Sequence, residues 1–194
     1  MVHLHAILHG GGRSVSRDRA HLHPLAQARL VEMEAMCKVR LGVTLDLIET
    51  WRDGAAQDAA KAAGASTKGA GGSWHNCMYP NGTPASLAFH VDPFPGPPVL
   101  GYGPKVLAWA TARRVEVELN PGGLADLTAA GLILTAVGLI GEELGLVWGG
   151  RWPHLRDWLH FELHPNGATL EQVKAAMRSM GDIHPLMPPG TGTG

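Results

Sequence analysis

Gly72-Ser73-Trp74-His75-Asn76 and, far downstream, Asp157-Trp158-Leu159-His160-Phe161-Glu162 are the two stretches on which the reading of this chain turns. The first puts a histidine in a polar loop of small residues. The second puts another at the head of an alternating run, His160-Phe161-Glu162-Leu163-His164, which reads as a β-strand with one polar and one apolar face. Between them lies Ala88-Phe89-His90-Val91-Asp92, where His90 and Asp92 stand two apart and share a strand face. Nitrogen and oxygen donors from separate elements, closing on one point, suit a tetrahedral zinc with a position left for water. The competing reading is of ordinary core or surface histidines in a chain that has 11 of them.

Working outward, 194 residues make one domain with room for a real core, and 45% hydrophobic against 17% charged residues describe a globular protein with an apolar interior. A formal net charge of −1 gives no electrostatic case for nucleic acid or an anionic membrane. Cys37 and Cys77 form no CxxC pair and no disulfide framework, which fits synthesis in a reducing compartment. The start of the chain has histidines where a signal peptide needs an apolar run, so the protein is expected to be made in the cytoplasm and to need a separate route out. The most apolar stretch, residues 127–140, is too short to span a bilayer and reads as a buried helix, so no membrane insertion is expected.

Residues 1–13 are expected to be a flexible segment within a polar start that extends to about residue 20, residues 14–182 a single domain, and 183–194 a Pro/Gly-rich tail. Pro24 opens a helix whose stripe Leu22, Ala26, Leu30, Met33, Cys37 and Leu41 ends at Gly42. Residues 43–49 alternate as a strand, and Asp53 caps a short Ala-rich helix running to Gly64. Residues 76–104 carry the Pro and Gly of loops, interrupted by one strand near 87–91. A helix is expected over 105–114, a strand over 115–119, a turn at Asn120-Pro121-Gly122-Gly123 and a buried helix over 124–144. Residues 148–152 read as a loop with two large aromatics, and 169–180 as a terminal helix.

A zinc hydrolase needs a carboxylate to accept a proton, a cation for the developing oxyanion, and a cleft. Asp157, three residues before His160, suits the first need and Arg52 the second, although Arg52 also reads as an ordinary surface salt bridge. Trp74, Trp148 and Trp152 line a cleft or fill the core; the sequence does not choose. Glu162 and His164 share the strand face of His160 and suit a role holding the ligands.

In their order these residues resemble the zinc peptidoglycan peptidases of the D-alanyl-D-alanine carboxypeptidase superfamily, above all the L-alanyl-D-glutamate endopeptidases of phage endolysins. The motifs that carry the resemblance are Arg52 with Gln57, Ser73-Trp74-His75, Ala88-Phe89-His90, Trp148-Gly149-Gly150, and Asp157 before His160-Phe161-Glu162, across residues 14–165. The resemblance implies an α+β fold: a small, mostly antiparallel sheet with packed helices, of the Hedgehog/D-Ala-D-Ala-peptidase type. It implies zinc as cofactor, His75 and His160 as ligands and Asp157 as general base. Arg52 would polarise the scissile carbonyl, with Gln57, Ser73, Trp148 and Glu162 binding substrate or supporting the site.

Two departures stand out. Residues 77–86 are an insertion between the first histidine and the strand, and the position where the family keeps an Asp ligand holds His90. A shift of two residues makes Asp92 the ligand instead. His90 is preferred, because three histidines are a well-used catalytic zinc set; such a site carries one more positive charge than a His-His-Asp set. The expected activity is therefore a zinc metallopeptidase cutting peptidoglycan stem peptides, acting as a monomer on the cell wall after release. The alternatives are a D,D-carboxypeptidase on terminal D-Ala-D-Ala and a catalytically silent, zinc-stabilised wall-binding module.

Overall fold

The computed structural model describes residues 14–93, 129–183 and 186. The first long helix, α1 (Pro24–Leu41), begins where the His23 ring accepts the Leu25 N–H and Pro24 supplies a first residue with no N–H to lose. It ends at Gly42, whose φ of 73° is left-handed backbone that an L side chain resists. Its buried residues are Leu25, Ala26, Leu30, Met33, Cys37 and Leu41, the face that the stepping by three and four requires. Asp53 caps α2 (Gly54–Ala62) by accepting the Ala56 N–H at 2.7 Å. Thr169 and Gln172 form a capping box on the last helix, α4 (Leu170–Met180).

Four strands, β1 (Asp46–Glu49), β2 (Ala88–Asp92), β3 (Leu146–Trp148) and β4 (His160–Leu163), form one antiparallel sheet in the order β1-β2-β4-β3. This is the α+β architecture expected from the sequence, with four α-helices among the described residues. Alternation divides the sheet into two chemistries. Phe89, Val91, Phe161 and Leu163 belong to the apolar face and are buried in the core with α1 and α3 (Ala129–Glu143). His90, His160 and Glu162 take the opposite phase, and the register sets His90 directly across from His160.

Helix α3 approaches the sheet through its glycines. A Cβ built on Gly138 would stand 2.2 Å from the Trp148 ring, and one on Gly141 would stand 2.4 Å from Phe161. Each glycine weakens a helix by about 1 kcal/mol, and here that loss permits the close approach of two large aromatics. Gly138→Ala is accordingly expected to destabilise the protein by about 1–3 kcal/mol despite its better helix propensity; an unchanged melting midpoint in denaturant would contradict this packing.

Residues 14–20 are tied to the segment after β1: Ser16 exchanges backbone hydrogen bonds with Thr50 and Trp51, and Val15 bridges Arg52. Two expectations need correction. Trp148 ends a strand rather than sitting in a loop, and a 3₁₀ turn follows it (Gly149–Arg151). Ile183, expected at the start of a tail, is fully buried in the core. The segment 1–13, the helix over 105–114, the strand over 115–119, the turn at 120–123, the start of the 124–144 helix and residues 187–194 lie outside the described residues. Among the described residues no helix is long and apolar enough to cross a membrane.

Both cysteines are free and have no exposed surface. Burial pushes each thiol up to about 12 from an ordinary 9.0. A raised thiol pKa stabilises the fold below the unfolded value and is lost as pH climbs above it, so stability should decline above about pH 9. At pH 8 the thiolate fraction is lowered roughly a thousandfold, and a disulfide reagent should titrate neither thiol until the protein unfolds. Rapid labelling of the native protein would contradict this burial.

Candidate metal centre

The loop histidine is fixed by its neighbours in sequence. Ser73 accepts the His75 N–H, and Asn76 reaches back to the Ser73 N–H, closing a capping box around the 3₁₀ turn Trp74–Asn76. Asn76 also donates to the Arg52 carbonyl at 2.6 Å, and the Arg52 N–H donates to the His75 carbonyl at 3.2 Å. The turn is therefore bolted to the segment after β1, and His75 points inward with 1% of its surface exposed.

His75, His90 and His160 come together, each buried and each offering a ring nitrogen, with those nitrogens all within 4.8 Å of one another. Their outer contacts decide which nitrogen is free. His75 Nδ1 lies 2.5 Å from the Thr50 carbonyl, which only an N–H can approach, so its Nε2 keeps a lone pair. His160 Nε2 lies 2.9 Å from Glu162 Oε1 and must likewise donate, leaving the lone pair on Nδ1. These two lone pairs face each other across 3.3 Å, and His90 Nε2 stands 3.1 Å from the same His160 Nδ1. Nitrogens bound at 2.0–2.1 Å to a tetrahedral zinc lie roughly 3.3 Å apart, so the spacing suits an ion.

Asp157 completes the inner group, with Oδ2 3.0 Å from His90 Nε2 and Oδ1 accepting the Leu159 N–H at 3.2 Å. Its backbone is held by Gly149, whose carbonyl accepts the Asp157 N–H at 3.1 Å. A Cβ on Gly149 would stand 2.6 Å from the Asp157 carbonyl, so the Trp-Gly-Gly motif is what lets the acid close over the histidines. Trp148 Nε1 donates to the Trp158 carbonyl in the same loop. Expected to bind or support substrate, Trp148 is 3% exposed and packs in the core; it reaches the site's loop through that hydrogen bond and an edge contact with the Trp158 ring, centroids 5.5 Å apart. Trp152 does reach the site, its ring 4.8 Å from that of His160, while Trp74 is buried and stacks on His164 at 4.2 Å.

Arg52 is 7% exposed, not the surface salt bridge of the competing reading. It donates to Gln57 Oε1 at 3.0 Å and to Glu49. Gln57, fully buried, passes the constraint on through Nε2 to Ser66 Oγ at 2.9 Å and the Lys68 carbonyl at 2.8 Å. Glu162 spans two histidines, His160 and, at 2.7 Å, His164. Asp92, two residues beyond His90, lies across from Asp46 and is not among the gathered groups. Cys77 sits in the hydrophobic core.

One residue of the site escaped the sequence reading. Glu49 approaches His75 Nδ1 at 3.7 Å and His90 Nδ1 at 3.8 Å, besides pairing with Arg52. Alternation along 43–49 assigns Glu49 the phase of Leu45 and Leu47, toward the core. The register slips between Leu47, opposite Val91, and Glu49, opposite His90, leaving Ile48 as a β-bulge. The bulge turns Glu49 to the histidine face, and no residue type in the stretch announces it.

Burial and charge set the protonation states. Burial pushes His75 down to about 3, keeping it neutral and its lone pair available. His90 is also pushed down by burial, but Asp157 and Glu49 outweigh that and raise it. Burial alone would raise Glu49 and Glu162; the histidines around each, with Arg52 beside Glu49, bring both down to about 2. Asp157 is held well below the usual carboxylate range, chiefly by His90 overcoming its burial. Three carboxylates held ionised face the Arg52 guanidinium and a His90 ring that two of them favour in its charged form, an excess of negative charge that a divalent cation can complement.

No family model and no curated protein matches this chain. Among solved structures it is similar to the crystal structure of the L-Ala D-Glu endopeptidase ChiX of Serratia marcescens, with 20% identity, a TM-score of 0.43, and 80% of this chain and 86% of that chain covered. A likeness of that size carries no weight for the chemistry, which rests on this chain's own side chains.

Proposed function

We propose that this chain is a zinc peptidase that hydrolyses an amide bond in the stem peptide of bacterial peptidoglycan, an L-Ala-D-Glu endopeptidase of the endolysin kind. The observation that carries the reading is the meeting of three inward-facing imidazole nitrogens with one ionised carboxylate and one buried guanidinium. The substrate class rests on the ordered motifs from Arg52 to Glu162.

His75, His90 and His160 would hold the metal, which when bound supplies Lewis-acid polarisation of the amide and of attacking water. Asp157 Oδ2 accepts the proton of that water and returns it to the leaving amine, a task for which its place beside the histidines, 3.0 Å from His90 Nε2, and its fixed loop suit it. Arg52, held flat by Gln57 and Glu49, donates to the scissile carbonyl oxygen as negative charge develops there. Ser73 fixes the His75 turn, and Glu162 keeps the His160 lone pair pointed inward. Trp152, against the His160 ring, shields one side of the group from water.

The deciding experiment is mass spectrometry of muropeptides after incubation with the purified, zinc-supplemented protein. Peptides newly beginning with D-Glu are expected. Loss of terminal D-Ala would make it a D,D-carboxypeptidase, and unchanged muropeptides with zinc bound would make it a silent binding module. Absence of bound zinc after supplementation would end the metallopeptidase reading.

A further inference from the structure

His90 Nδ1 is a buried polar atom with no hydrogen-bond partner among the described residues. Its other nitrogen faces Asp157 and His160. The polar atom that stands before it is Glu49 Oε2, 3.8 Å away, on a side chain 12% exposed and directly across the sheet in register. The second oxygen of the same carboxylate pairs with Arg52. The other two histidines already have an outer acceptor, the Thr50 carbonyl for His75 and Glu162 for His160. A ligand histidine generally needs such a partner, which fixes its tautomer and strengthens it as a donor.

We propose that Glu49 is a positioning residue of the metal centre, receiving the His90 Nδ1–H on one oxygen and holding Arg52 with the other. This rests on the zinc reading above. A small tilt of the imidazole closes the gap to hydrogen-bond length, and the pair becomes the third carboxylate- or carbonyl-held histidine of the set. Glu49 also returns the negative charge that a histidine in place of an aspartate removes. One carboxylate then couples a ligand to the group that meets the substrate carbonyl.

The test is zinc affinity, measured by competition with a chromophoric chelator on the purified chain, with circular dichroism of the metal-free form as the folding check. Glu49→Gln is expected to weaken zinc roughly 10–100-fold, the usual cost of losing such a partner. Glu49→Asp, which keeps the charge but shortens the reach, should fall between Gln and wild type. Arg52→Ala should leave zinc at least as tight, since it frees Glu49 of its competing cation. Zinc held as tightly by Glu49→Gln as by wild type would overturn the inference alone, and so would an equal loss in Arg52→Ala. Wild-type protein that takes up no zinc would overturn the underlying reading with it. Nitrogen-detected NMR of zinc-loaded wild type needs no variant: a slowly exchanging proton on His90 Nδ1 is expected, and a proton on Nε2 instead would overturn the assignment.

Discussion

Asp157→Asn should lower turnover by roughly 10²–10⁴-fold, the range that positioned acid–base groups contribute, while zinc stays bound. Asparagine has nearly the shape of aspartate, and its carbonyl oxygen can still accept the Leu159 N–H that now holds Oδ1. The backbone hydrogen bond to Gly149 is untouched, so the loop keeps its place. What disappears is the capacity to take a proton. Steady-state kinetics on purified muropeptide, with metal content measured on the same sample, reads both halves. Near-normal turnover would move the base to another group, and Glu162 is the next carboxylate in reach, although both its oxygens are engaged by His160 and His164.

The second large effect separates two residues that sequence alone could not. His90→Ala should lose stoichiometric zinc, because the two remaining histidines hold a catalytic ion poorly; Asp92→Ala should keep it. Asp92 shares a strand with His90 but lies opposite Asp46, outside the gathered nitrogens. Zinc binding is linked to folding, so the difference should also appear as heat stability: at zinc a hundred times above the dissociation constant, binding adds about 2.7 kcal/mol. Asp92→Ala should melt with the zinc-dependent gain of wild type, and His90→Ala should show none. The opposite pattern would mean that the strand supplies its ligand two residues further on.

How far the sequence could be read follows from which signals are local. The α1 stripe, its Pro24 start and Gly42 stop, and the caps at Asp53 and Thr169 are all written within a few residues of where they act, and the elements lie where those signals put them. Strand β3 was hidden because Leu146-Val147-Trp148 is only three residues long, too short to show alternation, and follows the expected helix after a single glycine. His90 and His160 were legible because polar residues at alternate positions of otherwise apolar strands are conspicuous, and His75 because it stands in a polar loop of small residues. Glu49 was not, because its direction depends on how β1 pairs with β2, and pairing is a property of two segments. Trp148 misled for a related reason: an indole beside a Gly-Gly turn looks like a cleft wall, and only the glycines of α3 reveal that it is packed inward.

The bulge at Ile48 has a consequence for how such a site can change. Were β1 to pair with β2 without a bulge, Ile48 would stand opposite His90 and Glu49 opposite Phe89, its carboxylate turned to the apolar side. The histidines would lose their extra charge without any of them being replaced. Charge at this centre is thus governed by the register of a neighbouring strand as well as by the identity of the residues around it. A one-residue slip in that pairing does what a substitution within the site would otherwise have to do.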